Sequence, residues 1–210
     1  MIKRVAIIAI IAVVVASLAI VAIAKYQRVV QPAIARGLAA ATDTGGGLAN
    51  LAADTLIAAD KATAAPEFAK GNWINSDPLT LEKLRGHVVV VEFWTFGCYN
   101  CRNTLPSVNT LPSVKEWDAK YRERGLTIVG VHTPETDSEY SLDNVRKEVS
   151  ALGIKYPVVT DNDYKTWKAY GVEAWPTMVV LDKQGRIRWV HVGEGRYEES
   201  ESVIKALLAE

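Results

Sequence analysis

The pattern of apolar and polar positions divides the 210-residue chain into three parts. Residues 5–24 are apolar except for Ser17, and about 20 apolar residues are needed for a helix to cross the hydrocarbon core of a bilayer. Residues 25–65 are rich in Ala, Gly and Thr, which offer little area for burial. They predict a tether that is at most partly helical. From residue 66 to residue 210 the apolar positions are spaced as in a folded domain.

Within residues 66–210 the apolar runs predict strands that alternate with helices. Strands are expected at 73–76, 88–94, 126–132, 156–160, 177–181 and 187–192. Helical segments are expected at 79–84, from about 98 to 125 with a kink at Pro106 or a break at Pro112, and at 142–152, 164–170 and 198–208. The run at 88–94 is typical of a strand that is covered on both faces. This succession favours an α/β fold with a mixed sheet and helices on both faces.

The balance of charged residues and the apolar N-terminal segment limit the kinds of partner and the location that the chain can have. The chain carries 24 basic and 24 acidic residues without a basic run, which argues against a nucleic-acid partner. The apolar segment at 5–24 is longer than the core of a cleavable signal peptide, although Ala22-Ile-Ala24 would serve as a cleavage site. We therefore expect one N-terminal transmembrane helix in the cytoplasmic (inner) membrane and an extracytoplasmic, periplasmic domain, with only a slight charge bias between the two flanks of the segment.

The two cysteines of the chain, Cys98 and Cys101, are three positions apart where the strand at 88–94 gives way to a helix. Unpaired N–H groups and the macrodipole at a helix N-terminus favour a thiolate. This spacing predicts a dithiol in which Cys98 is the exposed nucleophile and Cys101 is the shielded resolving thiol. A structural disulfide would close only a very short loop and contribute about 2 kcal/mol, and a zinc site normally draws four Cys or His ligands.

Four further residues are candidates for the site. Glu92 is a lone carboxylate in an apolar strand, so burial should raise its pKa and allow it to exchange a proton with Cys101. Pro176 precedes an apolar strand, where proline is tolerated at the first positions. Trp175 and Tyr99 are candidates for contact with a substrate, although Trp175 is equally a candidate for the core.

The stretch Val91-Glu-Phe-Trp-Thr-Phe-Gly-Cys-Tyr-Asn-Cys101, followed by Pro106 and Trp175-Pro176-Thr177, resembles the thioredoxin superfamily. It is most similar to the membrane-anchored TlpA/ResA-like redoxins. The resemblance implies a thioredoxin-like fold with an inserted strand–helix region at about 131–155, a buried acid at Glu92 and a cis-proline at Pro176. It also implies that electrons come from a membrane thiol donor and that the substrates are extracytoplasmic protein disulfides, including those of apocytochrome c. No cofactor is expected.

The chain also departs from the family pattern. Gly97 replaces the tryptophan that often precedes the first cysteine, and Arg102 stands where ResA-like proteins often carry an acidic residue just after the second cysteine. These departures bear on substrate and redox direction. Two alternatives to a reductase are a thiol peroxidase, whose usual Pro-x-x-x-Thr-x-x-Cys pattern is absent, and a copper chaperone that adds His132 or His191 to the thiolates.

Overall fold

Six strands form one mixed sheet in the computed structural model, which describes residues 53–102 and 110–210. In chain order the strands are β1 (Trp73–Ile74), β2 (Val88–Trp94), β3 (Leu126–His132), β4 (Val158–Thr160), β5 (Thr177–Leu181) and β6 (Ile187–Val192). Their order across the sheet is β1-β4-β3-β2-β5-β6. The pairs β2–β3 and β3–β4 are parallel, and the pairs β1–β4, β2–β5 and β5–β6 are antiparallel.

Five α-helices connect or follow these strands in the described residues. They are α1 (Tyr99–Arg102), α2 (Thr110–Tyr121), α3 (Leu142–Ala151), α4 (Lys165–Tyr170) and α5 (Tyr197–Ala209), and two 3₁₀ turns lie at Arg122–Arg124 and Asp137–Tyr140. The predicted break at Pro112 does not occur. Pro112 lies in the first turn of α2, where backbone N–H groups have no acceptor within the helix, so proline costs no helical hydrogen bond there. The alternative kink at Pro106 lies outside the described residues. The one or two helical turns expected at 79–84 correspond to hydrogen-bonded turns at 81–86, in which the Leu84 amide donates to the Thr80 carbonyl at 3.2 Å.

The central strand β2 is buried along its whole length, as its apolar run predicts. Its side chains alternate between two cores. Val90 and Trp94 pack with α2, α3 and α5 on one face, whereas Val91 and Phe93 pack with α4 on the other. Because successive strand side chains point to opposite faces, Glu92 lies on the face of Val90 and Trp94. The core on that face also contains Cys101.

The domain extends upstream of the predicted boundary at residue 66. Residues 53–65, which the sequence analysis assigns to the tether, lie along β6. The amides of Asp54 and Ile57 donate to the carbonyls of Val190 and Arg188 at 2.9 and 2.8 Å, and Ala64 forms a bridge with Arg186. This segment attaches through its backbone to an edge strand, so its small side chains give no indication of the contact in the sequence.

Within the two described stretches, no helix is both long enough and apolar enough to cross a bilayer. The predicted anchor at residues 5–24 and the rest of the predicted tether up to residue 52 lie outside the described residues.

Candidate active site

The two cysteines lie at the C-terminal end of β2, where the chain turns into α1. Cys98 precedes the first residue of α1, and its carbonyl accepts the amides of Cys101 and Arg102 at 3.2 and 3.3 Å. Both cysteines are free thiols. Cys98 retains 9% of its accessible surface and Cys101 retains 1%. Both cysteines are therefore buried: Cys98 is the less buried of the two, but it is not exposed as the sequence analysis expects.

The surroundings of the two thiols shift their pKa values in opposite directions. The hydrogen bond with the Cys101 side chain lowers the pKa of Cys98 to about 7, and the amides of Cys101 and Asn100 act in the same direction. Burial and the charge of Glu135 oppose this shift. The hydrogen bond with Cys98 and burial raise the pKa of Cys101 far above its usual range. Near neutral pH the thiol and thiolate forms of Cys98 are therefore both populated, whereas Cys101 keeps its proton.

Glu92 is fully buried beneath the pair. Burial raises its pKa to about 7, although the Tyr156 hydroxyl, which donates to Oε2 at 2.8 Å, opposes the shift. The other carboxylate oxygen, Oε1, has no hydrogen-bond partner. Glu92 pairs across β2–β3 with Gly130, where a Cβ atom would lie 2.8 Å from Trp94 Nε1 and 3.2 Å from the Tyr156 ring. The absence of a side chain at Gly130 thus leaves room for Tyr156.

The remaining predicted residues surround an open cavity of about 340 Å³, which is lined by Gly97, Cys98, Tyr99, Asn100, Glu135 and Trp175. Tyr99 is 74% exposed. Trp175 is half-buried, and its ring lies 4.4 Å from that of Trp167, so it both lines the cavity and packs on the core. The Trp175–Pro176 peptide bond is cis, as the resemblance implies. The structure therefore brings Cys98, Tyr99 and Trp175 together at one entrance.

A second buried carboxylate, Glu139, joins this entrance to the loop after β3. Its Oε1 accepts the Thr95 hydroxyl and the Gly97 amide, the latter at 2.6 Å. Its Oε2 accepts the amides of Glu135 and Thr136, each at 2.7 Å. Although burial opposes it, this set of hydrogen bonds lowers the pKa of Glu139. A Cβ atom at Gly97 would lie 2.7 Å from Oε1. Glycine at this position, where the family often has tryptophan, therefore leaves room for the carboxylate.

Sequence reasoning missed Glu139, Glu135 and Tyr156. A local signal existed for Glu139, because Thr136-x-x-Glu139 is a capping-box pattern and forms a capping box here. That pattern predicts only the contacts within residues 136–139, and not the contact with Gly97.

The histidines of the copper alternative lie in different surroundings. His132 is buried between the rings of Trp94 and Phe96, its Nε2 lies 3.3 Å from the Thr95 hydroxyl, and burial lowers its pKa to about 4. His191 pairs with Asp54 at 2.6 Å. No group of three His, Cys, Asp or Glu side chains within 53–102 and 110–210 is arranged to hold a metal ion.

Comparison with known proteins agrees with this geometry. Residues 60–208 match the redoxin family. The chain belongs to the redoxin family. Among curated proteins, this redoxin is similar to thiol-disulfide oxidoreductase ResA of Bacillus anthracis, with 30% identity over 143 residues that cover 68% of the chain and 76% of ResA. It is also similar to protein DipZ of Mycobacterium tuberculosis, with 38% identity over 139 residues.

The solved structures include a thiol-disulfide isomerase from Corynebacterium glutamicum, with a TM-score of 0.61 and 28% identity over 70% of this redoxin and 97% of the isomerase. These comparisons confirm the predicted thioredoxin-like fold, the ResA-like type and the enzyme class, which is thiol–disulfide oxidoreductase. The matched region covers 65% of this chain but only 19% of DipZ.

Proposed function

We propose that this redoxin reduces protein disulfides through a dithiol, with Cys98 as the nucleophile and Cys101 as the resolving thiol. The observation that supports this proposal best is the contrast between the two thiols. Cys98 borders the open cavity and has a pKa of about 7, whereas Cys101 is buried and its pKa is raised by the hydrogen bond with Cys98 and by burial. The thiolate is the nucleophilic form of cysteine.

The exchange takes place in two steps. The Cys98 thiolate attacks one sulfur of the substrate disulfide, so a mixed disulfide forms and the other substrate sulfur leaves as a thiolate that takes up a proton. The Cys101 thiolate then attacks the sulfur of Cys98 and releases the second substrate thiol. Two electrons pass from the dithiol to the substrate, and Cys98 and Cys101 end as a disulfide.

Glu92 supplies the proton transfer that the second step needs. Cys101 must lose its proton before it attacks, yet it is buried and resists ionisation. Because the pKa of Glu92 is about 7, its ionised and protonated forms are both populated at neutral pH. Oε1 has no hydrogen-bond partner, and the charge of Glu92 acts on the Cys101 thiol, which supports Glu92 as the acceptor of this proton.

The acidity of Cys98 supports reduction over oxidation. Thioredoxin, a reductant, has a nucleophilic cysteine with a pKa of about 7, whereas that of the oxidant DsbA is about 3.5. The pKa of Cys98, about 7, is the thioredoxin-like value. The equilibrium potential against glutathione tests this direction: a value of about −270 mV indicates a reductant and one of about −120 mV an oxidant.

We further propose that the domain is tethered outside the cytoplasm and receives its electrons from a membrane thiol donor, with apocytochrome c among its substrates. The apolar segment at 5–24 and the likeness to ResA support this location and role. Labelling of Cys98 in intact cells by a membrane-impermeant thiol reagent tests the location. Labelling that occurs only after lysis would contradict it.

Variants of the two cysteines test the reaction with insulin as the disulfide substrate. We expect Cys98→Ser to abolish insulin reduction, because the nucleophile is lost. Cys101→Ser should also lose turnover but accumulate a mixed disulfide at Cys98, since the resolving step is blocked. Insulin reduction that survives Cys98→Ser would overturn the proposal, and so would the absence of a mixed disulfide in Cys101→Ser.

A further inference from the structure

The entrance to Cys98 carries a negative charge from a carboxylate. Among the described residues that line its cavity, Glu135 is the one side chain besides Cys98 that is charged at neutral pH. The carboxylate is exposed, and its charge acts on the Cys98 thiol, whose pKa it raises. A substrate segment that approaches Cys98 therefore passes a fixed negative charge.

The position of Glu135 is set by the buried carboxylate described above. Glu139 accepts the Glu135 amide at 2.7 Å and the Gly97 amide at 2.6 Å, and Gly97 is the neighbour of Cys98 in the chain. One carboxylate thus fixes the backbone that carries Glu135 and the backbone that carries the nucleophile. The charge of Glu135 is held beside Cys98 by this connection.

Two other exposed acidic residues are close to Trp175 or Pro176 through the chain or a backbone hydrogen bond. Glu173 is exposed two residues before Trp175. Glu194 is exposed next to Gly193, whose amide donates to the Pro176 carbonyl at 2.8 Å. The nearby Arg102 is paired with Glu148 at 3.5 Å, so its charge is partly offset. Neither Glu173 nor Glu194 lines the cavity, so Glu135 is the acidic side chain that a substrate meets beside Cys98.

Building on the proposed reductase function, we propose that Glu135 is a specificity-determining residue that favours disulfides flanked by basic side chains. A lysine or arginine next to the attacked cysteine faces an opposite charge at Glu135, whereas an acidic neighbour meets repulsion. Exposed ion pairs are weak, so the preference is expected to be about two- to fivefold in rate. It should shrink as salt screens the charges.

Three cyclic disulfide peptides that differ only in the residue beside the attacked cysteine, Lys, Gln or Glu, test this preference. The full-length reduced chain is mixed with each peptide, and the second-order rate of enzyme oxidation is measured at low and high salt. We expect the order Lys, Gln, Glu from fastest to slowest at low salt. In Glu135→Gln the ratio of the Lys rate to the Glu rate should fall towards one. This ratio is independent of any change in Cys98 acidity, which affects all three peptides alike.

A matched control is Glu82→Gln. Glu82 is exposed and precedes the N-terminal end of β2, so the length of the strand, roughly 3.3 Å per residue, separates it from Cys98. This variant should keep the ratio of the unmodified chain. Equal rates for the three peptides in the unmodified chain, or a preference that persists in Glu135→Gln, would overturn the inference. If no peptide were reduced at all, the proposed function itself would fail.

Discussion

Glu92 and Glu139 are both completely buried, yet their acidities move in opposite directions. The pKa of Glu92 rises to about 7 because burial outweighs its single hydrogen bond from Tyr156. The pKa of Glu139 falls although burial opposes it, because Thr95 and the amides of Gly97, Glu135 and Thr136 donate to its carboxylate. Burial alone therefore does not set the charge of a carboxylate.

The difference between these two sites corresponds to two tasks. A carboxylate that is satisfied by several donors stays ionised and holds backbone in place. A carboxylate with one donor and a free oxygen changes its protonation state near neutral pH, which is what a proton carrier requires. Glu139 has the first environment and Glu92 the second. Three changes test whether this contrast holds.

The largest effect is expected from Glu139→Gln. The amide group of glutamine is itself a donor, so some of the amides of Gly97, Glu135 and Thr136 lose their acceptor, at a cost of about 3 kcal/mol in the free energy of unfolding. Because the folded pKa of Glu139 is lowered, its contribution is present above the usual value of 4.5 and is lost as the pH falls through the folded pKa. Urea unfolding should therefore show a larger deficit at pH 7 than at pH 3.

Glu148→Gln is the control for this variant, since Glu148 lies on α3 and makes one partly exposed ion pair with Arg102. Its effect should remain within about 0.5 kcal/mol. A deficit in Glu139→Gln that is equal at both pH values would mean that the carboxylate charge does not hold this junction.

Glu92→Gln should have the opposite effect on stability. Because the folded pKa of Glu92 is raised, the unfolded chain loses this proton near pH 4.5 while the folded chain keeps it until about pH 7, so the unmodified protein loses stability over that range. Glutamine does not titrate. From pH 4 to pH 8 the variant should therefore gain about 3 kcal/mol relative to the unmodified protein, as measured by urea unfolding.

The same variant should slow the resolving step. Without a proton acceptor, decay of the mixed disulfide is expected to fall on the order of 10²-fold and to lose its pH dependence near 7. An unchanged pH–rate profile for disulfide reduction would rule out the shuttle role of Glu92, even if the stability shift occurs.

These two carboxylates also differ in how far the sequence predicts them. Glu92 stands in an unbroken apolar strand, so its burial and raised pKa follow from the local pattern. Glu139 stands among polar residues, and two of its partners, the Thr95 hydroxyl and the Gly97 amide, belong to a distant segment. Side-chain patterns do not reveal where such amides point.

Other features of the molecule also divide into those that local sequence predicts and those that depend on contacts between distant segments. The paired cysteines and β2 follow from the sequence pattern, whereas the cis-proline follows only from the resemblance to the thioredoxin superfamily. The contact of residues 53–65 with β6 depends on backbone hydrogen bonds at a sheet edge, which composition does not encode. Tyr156 lies before β4 and not in the strand that the pattern predicts from residue 156, and its hydroxyl contacts Glu92, which lies opposite Gly130 in the sheet.

The smallest effect is expected from Tyr156→Phe, which removes the one hydrogen bond to Glu92 and little volume. The hydroxyl lowers the pKa of Glu92, so its loss should raise that pKa above 7, by about one unit for a charge-assisted hydrogen bond in the interior. The carboxyl stretch in infrared difference spectra, followed against pH with Glu92→Gln to assign the band, measures the shift. The pH optimum of the resolving step should move upward by the same amount, because the ionised form that accepts the proton from Cys101 appears at higher pH. A Glu92 titration that stays at its original midpoint in Tyr156→Phe would show that burial alone sets this carboxylate, and the contrast with Glu139 would then rest on the donors of Glu139 only.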